Sequence, residues 1–167
     1  MMMILICFLQ FGMILFAPAQ SLAQDAFVPT EAERAKISDC IKRAASETEL
    51  KQMSACIGLI AEPCVEAPDA NTASLVACHM REQTIWDGYL NTWYGEAQNK
   101  LKGDTASGDA LKQAQRAWIA FRDAKCAYWE KRYAGGTIVA VLTGDCMRVE
   151  TGIRALEVRA ILDDLDQ

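Results

Sequence analysis

The sequence predicts an all-α fold, an irregular helical bundle stapled by disulfides, with three long helices and two short amino-terminal helices. Apolar residues recur every three or four positions over long segments, which is typical of helices with one buried face. Glycine, proline and helix-capping residues separate these segments. Six of the seven cysteines follow residue 23, and residues 24–167 are enough for a single domain with one core.

Residues 1–23 have the features of a secretory signal peptide. The segment carries no charged residue, contains two apolar runs and ends in Ser21-Leu22-Ala23, a small-x-small pattern for signal peptidase. We expect cleavage after Ala23, which places the mature domain in the periplasm or outside the cell, with no stable membrane insertion. An uncleaved membrane anchor is the alternative, because no Lys or Arg precedes the apolar run.

The six remaining cysteines predict three disulfides in an oxidising compartment. They form three couples of sequence neighbours, separated by 15, 13 and 19 residues. The predicted bridges are Cys40–Cys56, Cys64–Cys78 and Cys126–Cys146. A zinc site is disfavoured, because no two cysteines stand two to four positions apart and the chain has one histidine. We therefore predict no metal and no cofactor.

Capping residues locate the two short helices. Thr30 with Glu33 and Ser46 with Glu49 each form a capping box, and the first helix is expected to run through Ala45. The second helix is expected to end at Pro63.

Three longer periodic segments predict the long helices, whose short connections favour antiparallel neighbours. The first begins at Thr72, and its inner face comprises Leu75, Cys78, Glu82, Trp86, Leu90, Trp93, Ala97 and Leu101. Ser107 is expected to cap the second, with Leu111, Ala114, Trp118, Phe121, Lys125, Trp129 and Tyr133 inward. After a β-prone run at Thr137–Leu142, the third follows Gly144, with Met147, Thr151, Arg154, Val158, Ile161 and Leu165 inward.

Polar residues on these helices allow two interpretations. Glu82 and Asp87 could serve as the paired carboxylates of a hydrolase. The favoured alternative is a structural network in which Arg122 or Arg154 neutralises a buried carboxylate on a facing helix. The sole histidine, His79, is expected to be a surface or capping residue.

A pattern in the carboxyl-terminal half is more specific than these. It comprises Gln115, Trp118, Phe121-Arg122-Asp123, Cys126, Gly135-Gly136-Thr137, Cys146, Thr151 and Arg154. These residues resemble the motif of the lysozyme-inhibitor LprI-like family of bacterial secreted proteins, over about Cys64 to Leu165. The resemblance implies a helical, disulfide-bonded envelope protein without catalytic residues and, in the member that names the family, inhibition of lysozyme.

The resulting hypothesis is an exported, non-catalytic binding protein similar to a lysozyme inhibitor. The net charge of -5 permits a basic partner, such as lysozyme or another basic cell-wall hydrolase, and argues against nucleic acid. The candidate binding loop is Gly135, Gly136 and Thr137. An envelope protein-interaction module with another partner and a hydrolase that uses Glu82 or Asp87 remain alternatives.

Overall fold

A computed structural model describes residues 26–45 and 53–167. The predicted signal peptide, its cleavage site and the Ser46–Glu49 capping box lie outside these residues. The described helices are α1 (Glu31–Ala45), α2 (Ala61–Val65), α3 (Thr72–Lys100), α4 (Thr105–Cys126), α5 (Tyr128–Arg132) and α6 (Ile138–Asp164), with a 3₁₀ turn at Leu101–Gly103. Within the described ranges there is no strand, and the all-α prediction is confirmed.

Side chains with oxygen acceptors start three of these helices. At α1, the Glu33 amide donates to Thr30 Oγ1 at 3.2 Å and the Thr30 amide donates to Glu33 Oε2 at 2.8 Å, so the predicted capping box is confirmed. Asn71 caps α3. At α4, the predicted cap Ser107 is wrong, because Asp104 accepts the Ser107 amide at 3.1 Å and starts the helix at Thr105.

Helices α3 and α6 make the most extensive interhelical contact, and they run parallel. Residues in contact across the pair are 66 positions apart at five successive levels. These are His79–Asp145, Glu82–Arg148, Trp86–Gly152, Trp93–Arg159 and Lys100–Asp166. The steps along α3 are three, four, seven and seven residues, the heptad spacing that keeps one face of a helix against its neighbour.

Helix α4 follows α3 in sequence and runs antiparallel to α6. Gln115 contacts Arg154, Lys125 contacts Glu150, and Cys126 is bonded to Cys146. The expected antiparallel arrangement therefore holds for α4 with α6, whereas the main packed pair is parallel because α4 and α5 lie between its members in sequence.

The predicted aromatic seam of α4 is wrong. Of its 22 residues only Gly108, Leu111 and Cys126 are buried. Trp118 is half-buried, Phe121 is 56% exposed, and Ala114 and Lys125 are also exposed. The periodicity identified an apolar face on α4. However, α3 and α6 bury most of their own apolar surface against each other, against α1 and against the segment before α2. Little apolar surface of α3 and α6 is therefore left to cover α4.

Two boundaries near the Gly-Gly turn also differ from the expectation. The second long helix ends at Cys126 instead of continuing to Tyr133, and the five-residue α5 follows it. The β-prone run Thr137–Leu142 forms the start of α6, which begins at Ile138 and continues through Gly144. A Cβ atom at Gly144 would lie 3.4 Å from His79 Cβ, so this glycine marks a close contact with α3 rather than a helix start.

All three predicted disulfides are confirmed. Their Cα–Cα distances are 5.8 Å for Cys40–Cys56, 5.9 Å for Cys64–Cys78 and 5.5 Å for Cys126–Cys146, inside the usual range for a bridge. The first ties α1 to the segment before α2, the second ties α2 to α3, and the third ties α4 to α6. None of the described helices is both long and apolar enough to cross a bilayer.

The third bridge should matter most for α4, since this helix buries so few side chains. We expect a Cys126→Ser/Cys146→Ser variant to lose about 3 kcal/mol of unfolding free energy, because the bridge closes a loop of 20 residues in the unfolded chain. Urea unfolding followed by circular dichroism measures the change. A loss below about 1 kcal/mol would contradict this role.

Candidate functional site

Four polar side chains meet where the segment that leads into α2 packs against α3 and α6. His79 and Glu82 lie on α3, and Asp145 and Arg148 lie on α6. His79, Glu82 and Arg148 are buried, and Asp145 is half-buried. We call these four residues the polar cluster.

Glu82 is fully buried, and its carboxylate accepts hydrogen bonds from three backbone amides. The donors are Gly58 at 2.6 Å, Ile60 at 3.0 Å and Ala61 at 2.8 Å. Ile60 and Ala61 form the amino-terminal end of α2, whose free N–H groups attract an anion. The Glu82 side chain therefore anchors the segment before α2 onto α3.

The geometry of this anchor explains the glycine at position 58. Gly58 has a φ of +105°, a conformation that L side chains rarely adopt. A Cβ atom there would also require the exposed Glu62 carboxylate to move aside. With glycine, the backbone amide comes within hydrogen-bonding distance of Glu82 Oε1.

Two side chains complete the environment of the Glu82 carboxylate. Trp86 Nε1 donates to it at 3.1 Å and Arg148 Nη1 donates at 3.3 Å. A structural network around a buried carboxylate is therefore present, as predicted, but the predicted partners Arg122 and Arg154 are wrong. The sequence prediction placed Met147 on the inner face of α6, whereas the buried cation is its neighbour Arg148.

Arg148 links the buried Glu82 carboxylate to the half-exposed Asp145 side chain. Its Nη2 atom donates to Asp145 Oδ1 at 2.6 Å, while its Nε atom is buried without a hydrogen-bond partner. One guanidinium therefore contacts two carboxylates, one fully buried and one half-exposed.

His79 is buried, so its predicted surface position is wrong. It is 5% exposed, and its Nδ1 atom lies 3.5 Å from Asp145 Oδ1 without a hydrogen bond. Burial lowers the pKa of His79 below its ordinary 6.5, and the Arg148 charge lowers it further, while Asp145 acts in the opposite direction. The net lowering of the pKa favours the neutral form of His79.

A cavity of about 360 Å³ lies beside the polar cluster. Its lining comprises Glu62, Val65, Glu66, His79, Val141, Leu142, Asp145 and Arg148. Within the described part of the chain, no group of three or more His, Cys, Asp or Glu side chains has the arrangement of a metal site.

The two carboxylates considered for hydrolysis have different environments. Glu82 is fully buried and is saturated with donors, so it cannot contact a polymeric substrate in this fold. Asp87 is exposed and accepts a hydrogen bond from Asn91 Nδ2 at 2.9 Å. This arrangement does not provide the facing acid and base that glycoside hydrolysis requires.

The motif residues on α4 and α6 meet around one tryptophan. The guanidinium carbons of Arg122 and Arg154 lie 4.9 Å and 6.0 Å from the Trp118 ring centroid. Arg154 Nε donates to Gln115 Oε1 at 2.9 Å, and Arg122 donates to neighbouring Asp123. These contacts join α4 to α6.

The candidate binding loop lies between α5 and α6. Gly135 has a φ of +80°, and the Gly136 amide donates to the Tyr133 carbonyl at 2.9 Å. Gly136 and Thr137 line a second cavity of about 510 Å³, between α3, α5 and the start of α6. The loop is exposed and sits beside a concave surface.

Replacing the central carboxylate tests the polar cluster. We expect Glu82→Gln to lower the unfolding free energy by about 3–5 kcal/mol, because it removes the buried anion that three backbone amides and Arg148 share and leaves Arg148 with half-exposed Asp145 alone. Urea unfolding measures the loss, and Glu157→Gln is the control, since Glu157 pairs with Arg154 at a half-exposed position. A loss equal to that of the control would contradict the anchoring role of Glu82.

Comparisons with known proteins support the family resemblance. Residues 64–158 match the family described as lysozyme inhibitor LprI. An uncharacterized protein of Rhizobium meliloti (strain 1021) is 28% identical over 153 residues, 90% of this chain and 96% of that protein. Uncharacterized protein YecT of Escherichia coli (strain K12) is 34% identical over 67 residues, 35% of this chain and 41% of YecT. No solved structure matches significantly. Because the family match spans more than half of the chain, this protein belongs to the LprI lysozyme-inhibitor family.

Proposed function

We propose that this protein is an exported, non-catalytic binding protein that inhibits a lysozyme or a similar basic cell-wall hydrolase. The observation that carries the proposal is the family match over residues 64–158. Three disulfides support an oxidising location, either periplasmic or secreted, after removal of residues 1–23. The net charge of -5 favours association with a basic enzyme.

The loop Gly135–Thr137 and its aromatic neighbours are the proposed contact surface. Tyr128 is 55% exposed, Tyr133 is 40% exposed, and Ile138 is 44% exposed on the other side of the loop. The Trp129 ring stacks on Tyr133 with centroids 6.1 Å apart. Exposed tyrosines that are already held by neighbouring rings are favourable interface residues, because little conformational entropy is lost on binding.

The Cys126–Cys146 bridge supports this assignment. It joins the end of α4 to α6 and closes the chain segment that contains α5 and the loop. A loop closed in this way is restricted before the partner arrives, which reduces the ordering cost of binding.

The direct test is inhibition of lysozyme by the purified, oxidised protein. We expect micromolar protein to slow the clearing of a cell-wall suspension by at least one class of lysozyme. A Tyr128→Ser/Tyr133→Ser variant should inhibit about tenfold more weakly, since central aromatic residues dominate binding energy. Val28→Ser is the matched control, because it removes an exposed apolar side chain near the amino-terminal end of α1.

The two parts of the proposal fail separately. If no class of lysozyme is slowed at micromolar excess, the inhibitor assignment is wrong. If the wild-type protein inhibits and the double tyrosine variant inhibits equally well, the contact surface lies elsewhere.

A further inference from the structure

The cavity beside the polar cluster combines an acidic edge with an apolar wall. Glu62 and Glu66 are exposed, and Asp145 is half-exposed. The apolar part of the lining is Val65, Val141 and Leu142. Its volume of about 360 Å³ is in the range of pockets that accept small organic groups.

The charges around this cavity do not balance. Arg148 is the one cation among the described lining residues, and its single charge is already shared between the Glu82 and Asp145 carboxylates. Burial lowers the pKa of His79, which favours the neutral form of its ring. Glu62, Glu66 and Asp145 therefore leave the cavity with an excess of negative charge.

One buried polar atom at the inner end of the cavity has no hydrogen-bond partner. His79 Nδ1 has no hydrogen-bond partner although the residue is 95% buried, and Asp145 Oδ1 lies 3.5 Å away. An unpaired buried polar atom is costly, and an N–H donor that reaches His79 Nδ1 would satisfy it when the ring proton is on Nε2. A cationic donor would also be attracted by the carboxylates.

We propose that this cavity binds an arginine or lysine side chain presented by a protein partner. The methylene groups of that side chain would pack on Val65, Val141 and Leu142, as the stems of basic residues do on apolar surfaces. Its guanidinium or ammonium group would donate to His79 and Asp145. That the partner is a basic hydrolase rests on the proposed function. That the cavity binds a basic side chain rests on the residues that line it.

The chain has one histidine, so the His79 ring gives a single set of NMR signals that reports directly on the cavity. The probes are butylguanidinium and its neutral isostere butylurea, titrated into the full oxidised protein. We expect butylguanidinium to shift the His79 signals saturably and to bind about tenfold more tightly than butylurea, because charge complementarity favours the cation.

Variants at the edge of the cavity test the role of charge. Glu62→Gln/Glu66→Gln should weaken butylguanidinium binding by about three- to tenfold, since each exposed charge contributes modestly. The Glu62 and Glu66 side chains are exposed, so this variant should fold. The second variant is Asp145→Asn, whose melting curve should match that of the wild-type protein. Asp109→Asn, an exposed carboxylate on α4, is the control.

The same variants separate the cavity from the proposed function. If the wild-type protein inhibits lysozyme and Glu62→Gln/Glu66→Gln inhibits several-fold more weakly, the cavity holds a basic side chain of that enzyme. Unchanged inhibition by this variant overturns the docking role, and equal binding of butylurea and butylguanidinium overturns the cation site. If no lysozyme is inhibited but butylguanidinium still binds selectively, the cation site stands and the inhibitor assignment fails.

Discussion

The carboxylate of Glu82 holds the segment that leads into α2 against the parallel pair of α3 and α6. It accepts from the backbone at Gly58, Ile60 and Ala61 and pairs with Arg148 across the helix interface. A buried charge is stable only when its hydrogen-bonding capacity is filled, so this one side chain fixes three elements at once. The same pairing orients Arg148 toward Asp145 and thereby shapes the inner end of the neighbouring cavity.

The constant register between α3 and α6 extends this arrangement along the whole bundle. Gly152 packs against Trp86 and Ile57, and a Cβ atom there would be in ordinary contact with the Trp86 ring at 3.4 Å but tight against Ile57 at 3.0 Å. Farther along, Arg159 lies 5.6 Å from the Trp93 ring centroid. Polar, small and aromatic pairs at successive levels favour one register over a slipped one, since each fits its own partner.

The inner face of α3 was predictable because that helix is covered along its whole length. Trp86, Leu90 and Trp93 have the helical spacing and are buried. The same reasoning failed for Phe121 on α4, because periodicity reveals an apolar face but not whether another element covers it. The disulfides followed from the pairing of sequence neighbours, whereas the Glu82–Arg148 pair spans 66 positions and depends on a parallel packing that local patterns do not encode.

The proposed contact surfaces lie at the edge of the buried framework. Glu82 and Trp118 hold helices together, while the exposed loop at Gly135–Thr137 and the acidic cavity face solvent. The central structural claim is that Glu82 fixes the segment before α2, and amide hydrogen exchange in the wild-type protein tests it most directly. The account predicts that the amides of Gly58, Ile60 and Ala61 exchange as slowly as those in the middle of α3, opening only with global unfolding. Exchange of these three amides at the rate of exposed loop amides would contradict it.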